Sequence, residues 1–168
     1  MMHFDTKRLP RLKGEDNIMP REYMFVGIDG FSRELYVGIL PSKTQQSATE
    51  FLQQVLDQCP CTIECAHLDN GTEYKGTDNH DFVALCREQG IGQKFTCVKR
   101  PQTNGKAERV IRTLLDMWHS KHHFKGRQQR NMSLLRFINF YNIVKPHKGL
   151  DGKTLYEKLY GDFYDNKL

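Results

Sequence analysis

The stretch "EYMFVGIDGFSRELYVGIL", Glu22–Leu40, decides how the rest of the chain is read. Two runs rich in aromatic and β-branched residues flank Asp29-Gly30-Phe31-Ser32, and Asp-Gly is a strong turn signal. The pattern predicts an antiparallel β-hairpin. Upstream of it, "MHFDTKRL" (Met2–Leu9) reads as a short strand. "RLPRLKGEDNIMPRE" (Arg8–Glu22) reads as a loop broken by Pro10, Gly14 and Pro20. The first quarter of the chain is therefore expected to be an antiparallel meander.

Downstream, the apolar period changes. In "QQSATEFLQQVLDQC" (Gln45–Cys59), Ala48, Phe51, Leu52, Val55 and Leu56 recur at helical spacing. "CTIECAHLD" (Cys61–Asp69) is a short apolar strand that ends in the turn "DNG". "HDFVALCREQG" (His80–Gly90) is a second helix with Phe82, Leu85 and Cys86 as its stripe and Gly90 as its stop. "IGQKFTCV" (Ile91–Val98) is the last strand. A third helix is predicted from Asn104, a good N-cap, to about Lys121, with Ala107, Ile111, Leu114, Leu115 and Trp118 as its apolar stripe. "SLLRFINFYNIV" (Ser133–Val144) is a fourth helix ended by Pro146, and the tail from Gly149 to Leu168 is turn and short helix. Strands joined first by a hairpin and then through helices predict an α/β domain: a five-stranded mixed sheet, an antiparallel meander followed by parallel strands, flanked by helices.

The bulk numbers bound the function. With 168 residues the chain forms one domain with a sizeable core. A hydrophobic content of 38% with 27% charged residues excludes a disordered chain. No apolar run approaches the roughly 20 residues of a membrane span, so no membrane partner is expected. A net charge of +5 permits a nucleic-acid partner without demanding one. The opening "MMHFDTKRLP" lacks the apolar region of a signal peptide. The five cysteines (Cys59, Cys61, Cys65, Cys86, Cys97) accordingly read as reduced thiols in a cytoplasmic protein. "CPCTIEC" lacks a second cluster at zinc-site spacing, so Cys61 and Cys65 read as alternating strand residues and Cys59 as a loop residue. The abrupt start reads as an added Met1 on the core of a longer protein.

Candidate chemistry lies in the carboxylates. Sites in open α/β sheets form outside the carboxyl ends of the strands. Asp69 is at such an end, and Asp5 lies in the first strand, which approaches Asp69 if it pairs beside residues 62–69. Glu108, in "RPQTNGKAERVIRTLL" (Arg100–Leu115), falls in the first turn of the third helix among Lys106, Arg109 and Arg112. Three converging carboxylates repel one another, and hard divalent cations relieve that repulsion. Two such ions about 4 Å apart would leave a net positive charge facing a phosphate, with the basic side chains around it holding DNA. From pattern alone a blander reading stays open. Asp-Asn-Gly is a good turn in itself, and a glutamate near a helix N-terminus gains about 0.3–1 kcal/mol from the helix dipole.

The blocks "HFDTKRL", "FVGIDGFSRELYVGIL", "LDNGTEY", "RPQTNGKAERVIRTLL" and "FYNIVKPHKGLDGKTLYEKL", in that order, resemble the catalytic core of DDE transposases and retroviral-type integrases. The match is closest to bacterial insertion-sequence transposases with an integrase core, and it covers Met2 to about Leu159. The resemblance implies a ribonuclease H-like fold, two Mg²⁺ or Mn²⁺ ions, and cleavage and strand transfer on double-stranded DNA, both element ends and target. It implies a catalytic and metal-binding triad of Asp5, Asp69 and Glu108, with Asn70, Gly71 and Glu73 shaping the turn after the second aspartate. It assigns Gln102, Asn104 and Gly105 to an active-site loop, and Lys106 and Arg109 to the DNA-facing side of the helix. Arg112 and Lys145 complete the expected DNA contacts. A homodimer or higher multimer is implied, on the exposed part of the third helix and the fourth helix, in a bacterial cytoplasm and associated with the nucleoid. The expected organisation is a single catalytic core, 1–168, with about 2–125 as ribonuclease H-like core and about 131–168 as C-terminal helix and tail. The chain departs from the family in three ways. The 38 residues between Asp69 and Glu108 slightly exceed the usual spacing, with the excess placed in "KGTDNHD". Lys145 stands where the family usually has Arg, and a lysine ammonium cannot make the bidentate phosphate contact of a guanidinium. The upstream helix-turn-helix region is missing, so most recognition of element ends should be missing too.

Several other residues compete for these roles. Asp29 is a second candidate carboxylate, but its Asp-Gly context reads as hairpin chemistry. His119, His122 and His123 have helical i, i+3, i+4 spacing that suits zinc, yet read better as a solvated or DNA-facing helix end. Trp118 reads as core, and His67 as a buried strand residue. Two alternative functions remain: a ribonuclease H-like nuclease that only hydrolyses, and an inactive DNA-binding or oligomerisation module, against which the intact Asp5, Asp69 and Glu108 argue.

Overall fold

The computed structural model describes residues 1–96, 105–158 and 161. Strands β1 (Met2–Arg8), β2 (Tyr23–Asp29) and β3 (Leu35–Leu40) lead into helix α1 (Gln45–Gln58). Then come β4 (Cys65–Leu68), α2 (Asp81–Glu88), β5 (Gly92–Phe95), α3 (Gly105–Met117) and α4 (Arg127–Asn139). The five strands form one sheet in the order β3-β2-β1-β4-β5. β1, β2 and β3 pair antiparallel, while β4 runs parallel to both β1 and β5. This is the predicted meander followed by parallel strands.

Strand alternation divides the apolar side chains between two faces. Met2, Phe4, Phe25, Ala66 and Leu68 pack with Phe51, Leu52 and Val55 of α1 and Phe82 and Cys86 of α2. Met24, Val26 and Ile28 pack on the opposite face with Ala107, Val110, Ile111 and Leu114 of α3, Trp118, and Leu134 of α4. Burial wins over local preference in α3. Gly105, Val110 and Thr113 each lower helix propensity by up to about 1 kcal/mol. Burying a side chain such as Ile111 or Leu114 stabilises by roughly 1.5–3 kcal/mol.

The structure corrects four expectations. First, the hairpin does not use Asp-Gly as a tight turn. The Asp29 carbonyl accepts from the Arg33 N–H and the Asp29 N–H donates to the Glu34 carbonyl, leaving a four-residue loop in which Arg33, not Gly30, has positive φ (67°). The Asp29 carboxylate holds the loop by accepting the Phe31 and Ser32 N–H groups at 3.0 and 2.7 Å. Second, β4 starts at Cys65 and not Cys61, where its pairing with β5 begins at Cys65–Gly92. Third, α4 starts at Arg127, six residues ahead of Ser133 and ahead of the expected 131. Its first turn has no apolar stripe to announce it. Ion pairs hold it instead: Arg127 to Glu15 (2.6 Å) and Glu22 (3.1 Å), and the buried Arg130 to Glu22. The helix ends in a single π-type turn, Phe140–Val144, before Pro146. Fourth, α3 stops at Met117. A 3₁₀ turn, His119–Lys121, follows and His122 is extended (φ −120°, ψ 139°), so His119, His122 and His123 do not share one helical face. Trp118 is fully buried, and its indole N–H donates to the Ser133 hydroxyl at 3.0 Å.

Candidate active site

The site is set by one register. β1 pairs with β4 through Met2–Ala66 and His3–His67. Carried forward two residues along parallel strands, the same offset brings Asp5 beside Asp69, just past the end of β4. Alternation fixes the face. Phe4 and Leu68 point into the core under α1 and α2, so Asp5 and Asp69 turn toward α3. His3 and His67 lie on that same face one step down, with their Nδ1 atoms 3.1 Å apart, and His67 is a buried strand residue as the sequence suggests. Burial, and then the charge of Lys94, pull the His67 imidazole below its ordinary value.

Asp5 carries the electrical signature of the site. Its carboxyl is pushed up to about 6, first by burial. The Thr6 N–H, donating to Oδ1 at 2.7 Å, works against that rise, while the charges of Asp69 and Glu108 add to it. Lys43 pulls it back down. Asp69 and Glu108 therefore both act electrostatically on Asp5, from the end of β4 and from the first turn of α3, where Glu108 is exposed.

The turn after Asp69 is built to hold still. Asp69 Oδ1 accepts the Gly71 N–H at 3.0 Å, and the Asn70 amide donates to the Thr96 carbonyl at 2.8 Å, tying the turn to the end of β5. Beneath it Glu73 is buried, and Lys43 Nζ lies 3.0 Å from its Oε1. A Cβ at position 71 would fall 2.3 Å from Glu73 Oε2, which explains the glycine. Tyr74, also buried, shares a 2.6 Å hydrogen bond with the Thr6 hydroxyl, linking the turn to β1 directly beside Asp5. The sequence reading missed Lys43 and Thr6. Lys43's place just past the carboxyl end of β3 was the available signal.

The expected DNA contacts divide. Arg109 and Arg112 are exposed on α3. Lys106 turns to the hairpin loop and donates to the Gly30 carbonyl at 3.2 Å, with burial first and Arg33 second pulling its ammonium below its ordinary value. Lys145 Nζ lies 5.4 Å from the centre of the Tyr141 ring, a cation–π contact. Gln102 and Asn104, like Cys97, lie outside the described residues. Asp29 is committed to its loop, and the N-terminal amine lies 3.6 Å from its Oδ1.

Among the described residues, no three His, Cys, Asp or Glu side chains are close enough to hold a metal ion as they stand. Mg²⁺ does not require three: it is held by one or two carboxylates, with waters and substrate phosphate completing its shell. Asp5 and Asp69 supply two oxygen donors in one register, and the rise at Asp5 is the strain that a divalent cation would relieve. The donor set thus fits a hard cation. No helix among the described residues is long and apolar enough to cross a membrane.

The integrase core domain family model matches residues 89–154, a span that holds Glu108 and Lys145 but neither Asp5 nor Asp69. The uncharacterized protein K02A2.6 of Caenorhabditis elegans is 29% identical over 142 residues, which is 83% of this chain and 10% of that protein. The retrovirus-related Pol polyprotein from transposon TNT 1-94 of Nicotiana tabacum is 34% identical over 97 residues, 56% of this chain and 7% of that protein. The chain thus spans a tenth or less of the length of these curated relatives. The HTLV-2 integrase catalytic core domain, solved in complex with magnesium in a dimeric form, matches with a TM-score of 0.68 at 16% identity, over 92% of each chain. Five strands in this order, flanked by these helices, give the chain the ribonuclease H-like fold of retroviral integrase catalytic cores, with an integrase core domain match over residues 89–154.

Proposed function

We propose that this chain is the catalytic core of a DNA transposase of the bacterial insertion-sequence type, which cuts phosphodiester bonds and transfers DNA strands in a metal-dependent reaction. The observation that carries this reading is that the β1–β4 offset runs Asp5 up to Asp69 on the α3 face, with the charges of Asp69 and Glu108 both felt at Asp5. The match of residues 89–154 to the integrase core domain and the transposon origin of one relative support it.

Asp5, Asp69 and Glu108 are the residues that would hold Mg²⁺ or Mn²⁺, two ions in the active complex. When bound, such ions polarise phosphoryl oxygens and stabilise charge on the attacking and leaving oxygens of an in-line displacement. The chain's own part is positioning. The β1–β4 register sets the spacing of Asp5 and Asp69, and the Asn70 and Gly71 hydrogen bonds fix the carboxylate of Asp69. Arg109 and Arg112 would present planar guanidinium forks to the phosphate backbone, which fixes register on DNA without reading sequence. Gln102, Asn104 and Lys145 are proposed as further DNA contacts. We propose the whole of 1–168 as one catalytic core, working as a dimer or higher multimer at DNA in the nucleoid. The magnesium and the dimeric form of the HTLV-2 structure support the metal and the multimer.

The test is a nicking and joining assay on supercoiled plasmid, using a longer protein that carries its own DNA-recognition region. Cleavage and joining in Mg²⁺ or Mn²⁺, abolished by chelation and by Asp5→Asn, is the expected result. Nicking without any joining would favour a purely hydrolytic nuclease. Absence of both reactions in either metal would overturn the proposal.

A further inference from the structure

The pair Lys43–Glu73 is not used by the mechanism above. Glu73 has a fully buried side chain, while Lys43 is 39% exposed, with its ammonium 3.0 Å from Glu73 Oε1. Among the described residues, no hydrogen bond of good geometry reaches either Glu73 oxygen, so the charge of Lys43 is what answers the buried carboxylate. As a device for stability alone this is a poor choice, because burying a charge costs about as much as the pairing returns. Its location is more telling. Lys43 leaves the carboxyl end of β3, just before the Thr44 cap of α1, and opens onto the strand ends that carry Asp5 and Asp69. Its charge acts on Asp5, and the charges of Asp69 and Asp5 act on it in return. Burial pulls the Lys43 ammonium down, but Glu73, Asp69 and Asp5 more than offset this, so it stays charged.

We propose that Lys43 is a phosphate-contacting residue of the Asp5–Asp69 site, held in place by the buried carboxylate of Glu73. This rests on the reading of the chain as a DNA-processing core. An ammonium has three N–H donors. The ion pair with Glu73 holds one side of the ammonium, which leaves N–H donors for non-bridging oxygens of a phosphodiester lying across the carboxylates. Gly71 belongs to the same arrangement, since a side chain there would displace the Glu73 carboxylate and free the lysine. Lys43 thus offsets the repulsion between the carboxylates and the DNA backbone from the side opposite α3. Glu73 is a positioning residue that acts through Lys43.

The experiment is binding of a short fluorescent DNA duplex by the whole chain, followed by anisotropy over a salt series. Lys43→Ala should lower the slope of log affinity against log salt by about 0.9, the contribution of one phosphate contact, and Lys43→Arg should restore it. The double variant Lys43→Met with Glu73→Gln removes both charges, leaves no buried carboxylate unpaired, and should show the same loss. This keeps the test valid if Lys43→Ala unfolds. The positioning role predicts coupling: Lys43→Ala should cost several-fold less affinity in a Glu73→Gln background than in the parent. Equal cost in both backgrounds would overturn the role of Glu73. If Arg109→Ala and Arg112→Ala lower the slope while Lys43→Ala and the double variant leave it unchanged, the phosphate contact is overturned and the DNA-processing reading stands. If the parent binds no duplex at low salt, both fall together.

Discussion

The β1–β4 register that pairs His3 with His67 carries Asp5 to the level of Asp69 on the same side of the sheet, although 63 residues separate them in the chain (69 − 5 − 1). Their proximity makes the metal-free site unfavourable to itself, and this has measurable consequences.

The first is in stability against pH. Folded Asp5 holds its proton up to about pH 6, mainly because it is buried and secondarily because Asp69 and Glu108 repel its charge, against 3.8 when unexposed to those effects. A raised carboxyl means that the folded state binds the proton more tightly than the unfolded state. Stability is therefore greatest below about pH 4 and declines as pH rises towards about 6, then levels off with respect to this group. The full decline is up to about 3 kcal/mol, less for the part of Asp5 that solvent reaches. Asp5→Asn should remove this dependence and raise the melting temperature of the metal-free protein at pH 7. Calorimetry between pH 4 and 8 measures both.

A second consequence concerns catalysis. Glu108→Gln keeps shape but removes one charge. If Glu108 only favoured the start of α3 through the helix dipole, the cost would be under about 1 kcal/mol of stability with activity intact. As a metal ligand its replacement should leave stability nearly unchanged and reduce strand transfer by orders of magnitude in Mg²⁺. Asp69→Asn should behave in the same way. Asp29→Asn should not, because the Asp29 carboxylate is spent on the hairpin loop. Rates for the four proteins, in the longer protein with its DNA-recognition region, decide the matter.

On α3 the three cations should not be equivalent. Arg109 and Arg112 are exposed, whereas Lys106 donates to Gly30. Each arginine-to-alanine change is expected to lower the salt slope of duplex binding by about 0.9, and Lys106→Ala to lower it less. The same anisotropy titration reads all three. Equal losses would show that Lys106 leaves the loop when DNA arrives.

Packing gives a prediction independent of function. Trp118 is the chain's one tryptophan, fully buried between α3 and α4, with its N–H on Ser133. Trp118→Ala should destabilise by about 3–5 kcal/mol, and Trp118→Phe by clearly less. Urea unfolding followed by circular dichroism is the right measurement, since both variants lose the fluorescent reporter.

What the sequence made legible was periodic. Phe51, Leu52 and Val55 announce α1, and Ala107, Ile111 and Leu114 announce α3, because burial imposes a 3.6-residue repeat. Asp5 and Asp69 were legible as candidates from their strand positions, and the β1–β4 offset is consistent with their lying side by side. Features held by charge left no such trace. Arg127 and Arg130 start α4 by pairing with Glu15 and Glu22, more than 100 positions away, and a polar first turn has no period to read. The pairing of Lys43 with Glu73 is hidden for the same reason, since neither residue alone suggests the other. The hairpin loop misled because Asp-Gly suits a two-residue turn, while here the aspartate works through its side chain and Arg33 takes the left-handed position.

The β1–β4 pairing also bears on when the site comes into being. β1, β2 and β3 are joined by a loop over residues 9–22 and a tight hairpin loop, both without intervening helix, whereas β4 reaches β1 only after α1 has closed its crossover. Contacts between positions so distant in sequence carry a loop-closure cost that local hairpins do not. A growing chain that has emerged only as far as β3 already displays Asp5, with no Asp69 to meet it. The carboxylate pair is thus assembled by the same event that completes the sheet, and a partly folded chain lacks the site proposed above.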